Sequence, residues 1–358
     1  MKAKIALEIE NCTECPFHER HQVWTPDSFD HEYGIYCSRA ERLEDAASGK
    51  TSKRLVVADE WDPGKYAEVP SWCPFIIREY QELLLGIHDS PIWRKYMDGV
   101  TANPLRFNDL IFDYGEVHAK GMIRHILSFF EMLERVPIRN FIYRGMITSS
   151  ERDAFLASIA ASLCFIGAAG SIKSDRPLIG LEIADNYFLD QTELAEEDRA
   201  ILTNAILHWF DEKRIKEELK AIQAARGKGQ RAILETETVV KMALFLADKL
   251  DVSPERVERY ADGCPEYAEP MRPLIEAMKK VEKVEFFYYS NEKGSETIIP
   301  STELCYTVQD GFDPDAISLW PELVMVPRTV ARDFLGAKKF VFRVNGERIH
   351  LNRIQKKK

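Results

Sequence analysis

The sequence predicts a multidomain, mainly α-helical protein with three parts. Its 358 residues exceed the length of one typical domain. Four of the seven cysteines fall within residues 1–80, where helical periodicity is weak. Apolar residues recur every three or four positions through much of 81–262, and alternating apolar residues return in 263–358. We therefore expect a small cysteine-rich unit at 1–80, an all-helical bundle at 81–262 and an α+β domain with β-hairpins at 263–358.

The charge balance restricts the classes of partner. The chain has 58 acidic and 48 basic residues, a formal net charge of −10, so its overall field repels polyanions. We therefore expect no nucleic-acid partner, unless a local basic stripe provides one. No stretch reaches the roughly 18 uncharged apolar residues of a membrane helix, and nothing near the N-terminus predicts export. We expect no membrane partner and a cytoplasmic location, with thiols free or bound to metal.

Local patterns predict individual elements within each part. The apolar run Arg54–Ala58 predicts a buried strand in the first part. In the last part, Asn345-Gly346 lies between two alternating runs, as in a two-residue hairpin turn. The helical periodicity of the central part predicts helices at His118–Arg135, Asp153–Ile166, Glu182–Leu189, Glu196–Phe210, Asp211–Ala225 and Thr236–Leu250.

The N-terminal cysteines have a spacing that is typical of a metal site. Cys12 and Cys15 are separated by two residues, which lets both thiolates reach one tetrahedral Zn²⁺. Cys37 and Cys73 would complete four ligands, and nearby histidines are competing ligands. A loop-rich unit with a small core would use such a zinc ion as a structural staple. The alternatives are small buried thiols and a redox-active pair.

Three segments of the helical part resemble one enzyme family. They are Tyr114–His118, which opens a long helix, Ile201–His208, and Ala247-Asp-Lys-Leu-Asp251 at the end of another helix. Together they resemble the HD superfamily of metal-dependent phosphohydrolases over about residues 110–262. The resemblance implies a helical bundle in which imidazoles and carboxylates hold divalent metals that activate water and bind a phosphoryl group. It implies that His118, His208 and Asp248 are the candidate catalytic ligands.

The resemblance fails at the centre of the family's motif. Cys164-Phe165 stands where the family has its His-Asp pair, and Arg176 stands in the place of another histidine. Phenylalanine has no donor atom for a metal and arginine keeps its proton, so a hydrolytic metal centre is in doubt. The literal His88-Asp89 pair precedes Ser-Pro, a helix-start signal that explains it without a metal.

The expected function is therefore non-catalytic. Arg176, Lys228 and Lys249 are candidate contacts for a phosphorylated small molecule such as a nucleotide, because fixed cations attract phosphate. Lys228 belongs to a basic segment that is otherwise explained as a solvated helix and loop. On this prediction the chain is a pseudo-enzyme that binds such a molecule or acts as a regulatory scaffold.

Two other functions remain open from the sequence. The first is an active metal-dependent phosphohydrolase in which an altered ligand set of His118, His208 and Asp248 holds one ion. The second is a protein–protein interaction module whose helical pocket is filled. In that case we expect a dry, packed interior between His118 and Asp248, with Phe165 inside it.

Overall fold

The structure is a computed structural model that describes residues 12, 18–23, 32–41, 53–59, 73–101, 114–134, 142–143, 150–169, 176–190, 192, 194–208, 212–227, 233–234, 236–263, 269–289 and 300–354. The chain divides into two compact units, Met1–Glu79 and Tyr80–Lys358. Helices predominate over strands, so the prediction of a mainly α protein with more than one unit is confirmed. The second unit contains both the helices and a C-terminal sheet.

A three-stranded antiparallel sheet forms the described part of the first unit. Its strands are β1 (His18–Val23), β2 (Glu32–Glu41) and β3 (Lys53–Asp59), in the order β1-β2-β3. The strand predicted at Arg54–Ala58 is therefore confirmed. Ile35 of β2 is buried, and its apolar side chain anchors the centre of this small sheet.

The helices of the second unit follow the predicted periodicity. One helix begins at a residue suited to that place: Pro91 opens it, and the Ser90 hydroxyl accepts a hydrogen bond from the Ile92 amide, as a capping residue does. The boundary between the units falls inside the first helix. The described helices are α1 (Pro74–Asp89), α2 (Pro91–Thr101), α3 (Glu116–Glu134), α4 (Ser150–Leu163), α5 (Arg176–Ala184), α6 (Glu196–His208), α7 (Glu212–Gly227), α8 (Thr236–Leu250), α9 (Pro254–Gly263), α10 (Arg272–Met278), α11 (Glu322–Thr329) and α12 (Leu351–Ile354).

Short elements connect the helices. Predicted helix Glu182–Leu189 is the end of a longer segment, since α5 starts at Arg176 and continues into a π-helical turn. The short elements are 3₁₀ turns at Ile166–Ala169, Glu269–Met271 and Pro314–Leu319, π-helical turns at Asp185–Leu189 and Val330–Phe334, and the two-residue parallel strands β4 (Ile142–Tyr143) and β5 (Ile233–Leu234).

Helix α4 forms the centre of the bundle. Its apolar side chains are buried on every side, against α3, α6 and α8. Its two buried serines are satisfied within the helix, because Ser158 Oγ and Ser162 Oγ donate to carbonyls four residues earlier at 2.8 and 2.9 Å. Glu151–Ala169 is long and apolar enough to cross a membrane, but 83% of that stretch is buried inside the protein. Such burial is that of a core helix.

The C-terminal sheet has four strands in the order β6-β7-β8-β9. The strands are β6 (Val281–Tyr289), β7 (Ser301–Val308), β8 (Lys339–Val344) and β9 (Glu347–Ile349). Strands β7 and β8 are parallel, so the chain between them crosses over through α11 and its flanking turns. The predicted β8–β9 hairpin is confirmed: Asn345 and Gly346 have φ values of 45° and 81°, as both residues of a type I′ turn require.

Candidate functional site

The fold brings His118 and Asp248 into contact inside the second unit. His118 lies in the first turn of α3 and Asp248 near the end of α8, and these two helices pack together. His118 Nε2 is 3.2 Å from Asp248 Oδ1, and its Nδ1 is 2.7 Å from Asp251 Oδ2. All three residues are buried. Because a carboxylate only accepts, the shorter contact indicates that Nδ1 donates to Asp251.

Two cations of the chain neutralise these carboxylates. Lys249 Nζ is 2.8 Å from Asp248 Oδ2. Arg256, fully buried on α9, places its guanidinium 3.8 Å from Asp248 Oδ1 and 3.6 Å from Asp251 Oδ2, and donates to the Asp251 carbonyl. Two carboxylates thus face one ammonium and one guanidinium, which balances the charge within the interior.

The cations determine the protonation of the aspartates. Burial alone would raise the pKa of Asp248, but Lys249, His118 and Arg256 outweigh it and hold that pKa well below the usual carboxyl range. Burial is likewise outweighed at Asp251, where the hydrogen bond from His118 and the charge of Arg256 lower the pKa. Both groups are therefore carboxylates at neutral pH.

Aromatic rings enclose the histidine. The Phe165 ring centre is 4.9 Å from that of His118, and the Tyr114 ring lies at 4.9 Å in an edge-on arrangement. The Arg256 guanidinium stacks 4.5 Å above the Tyr114 ring. Cys164, next to Phe165, is also buried, and burial followed by the charge of Asp248 raises the pKa of its thiol. The space beside His118 is therefore packed with apolar groups where a metal site has donors.

The C-terminal crossover covers the other end of the cluster. The Lys249 ammonium lies 4.8 Å from the centre of the Trp320 ring and 3.4 Å from Glu322 Oε2. Lys249 is almost fully buried between these groups and Asp248. Its three neighbours are two carboxylates and an aromatic face, all of which stabilise a cation.

The structure describes the other predicted site residues only in part. His208 ends α6 and is half-buried. Arg176 begins α5, but its side chain is outside the described part of the chain, as is the whole of Lys228. His88 is half-buried: its Nε2 is 2.8 Å from Ser162 Oγ and its ring stacks on Trp93 at 4.5 Å.

The predicted zinc ligands are only partly described. Cys12 is buried, and Cys37 lies on β2 directly opposite His18 of β1. Cys73 precedes α1, whereas Cys15 lies outside the described residues. In the described part of the chain, no three His, Cys, Asp or Glu side chains are grouped so that they could hold a metal ion. The four-cysteine site stays a prediction.

Sequence reasoning did not name Asp251 as a site residue, and it missed Arg256 altogether. Its position in an amphipathic helix after Asp251 gives no sign that its side chain turns inward. The one available signal is the close spacing of Asp248, Asp251 and Arg256, which places opposite charges near each other along the chain. In comparisons with known proteins, no family model, no curated protein and no solved structure matches the chain.

Proposed function

We propose that this chain is a non-catalytic protein with an HD-like helical bundle that acts as a regulatory scaffold. One observation carries the proposal: Lys249 and Arg256 neutralise Asp248 and Asp251 while Phe165 packs against His118. The cluster therefore resembles a structural ion-pair network in the interior of a bundle. A network of this kind holds helices α3, α8 and α9 together without any bound ligand.

The divalent metal of the HD family does not fit these residues. His118 Nε2 and Asp248 Oδ1 are buried and lack a well-aligned hydrogen bond among the described residues, so they are the two available donors. Two donors are fewer than the three or more that protein sites supply to a catalytic ion. The neighbouring guanidinium and ammonium would also repel a divalent cation. We therefore assign no hydrolytic step to this site.

Phosphate recognition by Lys249 would break existing interactions. The ammonium would have to leave Asp248 and Glu322, and the buried Asp248 carboxylate would lose its nearest cation. This favours the scaffold over the nucleotide-binding form of the proposal. Arg176 and Lys228 stay candidate phosphate contacts, and calorimetric titration of nucleotides into the full chain tests them. If the titration gives no heat of binding, only the scaffold form of the proposal stands.

Elemental analysis tests the central proposal. The full chain is equilibrated with Mn²⁺, Fe²⁺ and Zn²⁺, dialysed, and compared with Asp248→Asn and Cys12→Ser variants by plasma mass spectrometry. We expect wild type and Asp248→Asn to contain the same metal, and neither to hydrolyse p-nitrophenyl phosphate or nucleotides. About one zinc lost only from Cys12→Ser would support the structural cysteine site that we propose for the first unit. A cytoplasmic location is part of the same proposal.

The alternative, a phosphohydrolase with an altered ligand set, has one observation in its favour. The orphaned atoms His118 Nε2 and Asp248 Oδ1 are 3.2 Å apart, a separation that two ligands of one ion would have. On this alternative, the metal is lost from Asp248→Asn together with metal-stimulated turnover. That result would overturn the scaffold proposal.

A further inference from the structure

A cavity of about 490 Å³ lies between helix α3 and strand β6, and Asp251 of the His118 cluster is among the residues that line it. Arg124, Ser128 and Glu131 line it from the side of α3. Its floor is the end of α8 and the residues that follow, including Leu250 and Ser253. A volume of this size is typical of a binding site.

Strand β6 presents its edge to this cavity. All eight consecutive residues from Val281 to Tyr288 line the cavity. Because successive side chains of a strand point to opposite faces of the sheet, a wall formed by one face would include only alternate residues. Strand β6 is the terminal strand of the order β6-β7-β8-β9, and among the described strands it pairs only with β7. Its second row of backbone N–H and C=O groups therefore faces the cavity.

We propose that an extended peptide segment of a partner protein binds in this cavity by adding a strand to β6. An open strand edge forms main-chain hydrogen bonds with an extended chain, and pockets beside the edge select its side chains. The opposing wall, α3, excludes the β6 edge of a second copy, because that strand would bring its own α3 and β7 into the same space. A single extended peptide brings no helix or second strand with it, so it fits into the cavity.

The walls of the cavity indicate the chemistry of the peptide. Phe287 lines the cavity and is partly exposed, and its ring centre is 6.1 Å from that of the exposed Tyr289, which extends this apolar surface beyond the cavity. Lys283 Nζ forms an ion pair with Glu285 Oε1 at 2.6 Å, so these two charges cancel. The exposed carboxylates of Glu131 and Glu282 form no ion pair with a described residue. In the cavity lining, these two carboxylates outnumber the one guanidinium of Arg124.

The cavity therefore selects alternating apolar residues and at least one Lys or Arg. The Ser253 hydroxyl, which is buried at the floor and has no hydrogen-bond partner among the described residues, provides a polar contact as well. This inference goes beyond the proposed scaffold and does not depend on it, since a peptide would bind here whether or not the His118 cluster holds a metal.

Panning of a random 12-residue phage-displayed peptide library on the full chain tests the proposal. We expect enrichment of alternating apolar sequences that contain Lys or Arg. The most enriched peptide, synthesised with a fluorescent label, should bind with an affinity that Ser128→Trp weakens at least tenfold, because the indole fills the slot. Lys120→Trp, on the same helix but away from the cavity, should stay within twofold of wild type.

Hydrogen exchange distinguishes strand addition from other modes of binding. The bound peptide should slow exchange of the β6 amides, and circular dichroism verifies that both Trp variants are folded. If Ser128→Trp does not fold, Glu131→Lys replaces it, with an expected loss of affinity for peptides containing Lys or Arg.

Three results would overturn the proposal. They are a library without an enriched sequence, a peptide that binds Ser128→Trp as well as wild type, and β6 amides protected in the free chain as fully as those of β7. The last would show that the chain itself or a second copy already fills the slot. None of these results bears on metal content, so failure here is distinct from failure of the scaffold.

Discussion

The Asp251 carboxylate occupies the space in which a β-carbon on Gly121 would stand. Gly121 lies in α3, one turn after His118, so its lack of a side chain lets Asp251 approach the helix backbone and accept the hydrogen bond from His118 Nδ1. A glycine within a helix usually reduces stability by about 0.5–1 kcal/mol relative to alanine. Here the close approach of a buried carboxylate explains the glycine.

Gly121→Ala should therefore destabilise the protein despite the higher helix propensity of alanine. The methyl group displaces Asp251 and leaves buried polar groups without partners, which costs about 1–3 kcal/mol. Urea denaturation measures the effect. Gly86→Ala is the matched control, because nothing lies within 4 Å of a β-carbon on that glycine of α1. Gly86→Ala should be neutral or stabilising, and equal losses in the two variants would contradict this account.

Arg256→Ala should be among the most destabilising substitutions in the described part of the chain. It removes the guanidinium shared by Asp248 and Asp251 and leaves both carboxylates buried with one cation fewer. Breaking a buried ion pair in this way costs about 3–5 kcal/mol. The free energy of unfolding is the readout. Arg272→Ala, at an exposed arginine paired with Glu269, should leave it close to the wild-type value.

Phe165→Ala should destabilise the protein by about 3–5 kcal/mol, because it leaves a cavity beside His118 and Tyr114. Thermal and urea unfolding measure the loss. Phe287→Ala provides the control, since Phe287 is partly exposed on β6 and its ring is less buried. A loss at residue 165 no larger than that at residue 287 would show that Phe165 does not fill the interior.

The stability of the protein should fall as the pH drops from 7 to 5, and His125 should account for part of this loss. Burial, opposed by Asp251 and reinforced by Arg124 and His118, lowers the pKa of His125 from 6.5 to about 4. Between these values the unfolded chain binds a proton that the folded chain does not, so stability decreases as the pH falls. At 1.36 kcal/mol per pKa unit, the full shift corresponds to about 3 kcal/mol, of which about 2 kcal/mol is lost between pH 7 and pH 5.

Comparison of variants isolates this contribution. His125→Gln should lose less stability than wild type between pH 7 and pH 5, whereas His350→Gln, at an exposed histidine, should behave as wild type does. Asp248 and Asp251, whose pKa values are depressed, lose their stabilising effect only as the pH falls through and below about 4. A pH dependence unchanged by His125→Gln would contradict the assignment.

Periodicity and turn chemistry predicted much of the fold. The mainly helical composition, the strand at Arg54–Ala58 and the Asn345-Gly346 hairpin follow from local patterns, and the structure has all three. The motif resemblance pointed to His118, Asp248 and Phe165, which lie together in the structure. Local signals succeed here because apolar spacing and turn residues act over a few positions.

Long-range geometry could not be predicted in the same way. The inward turn of Arg256, the approach of Asp251 to Gly121 and the cover of Trp320 over Lys249 all depend on how helices pack. A single sequence contains no signal for contacts between residues so far apart along the chain.

The cover of Lys249 by Trp320 and Glu322 affects how the second unit unfolds. Lys249 belongs to the bundle, but Trp320 and Glu322 belong to the crossover between β7 and β8. Phe129 of α3 also packs on Phe334 of the same crossover. Loss of the C-terminal segment would expose a buried cation and an apolar helix face together. The bundle and the C-terminal sheet, which belong to one compact unit, should therefore unfold together, and a truncation at residue 262 should yield an aggregation-prone fragment.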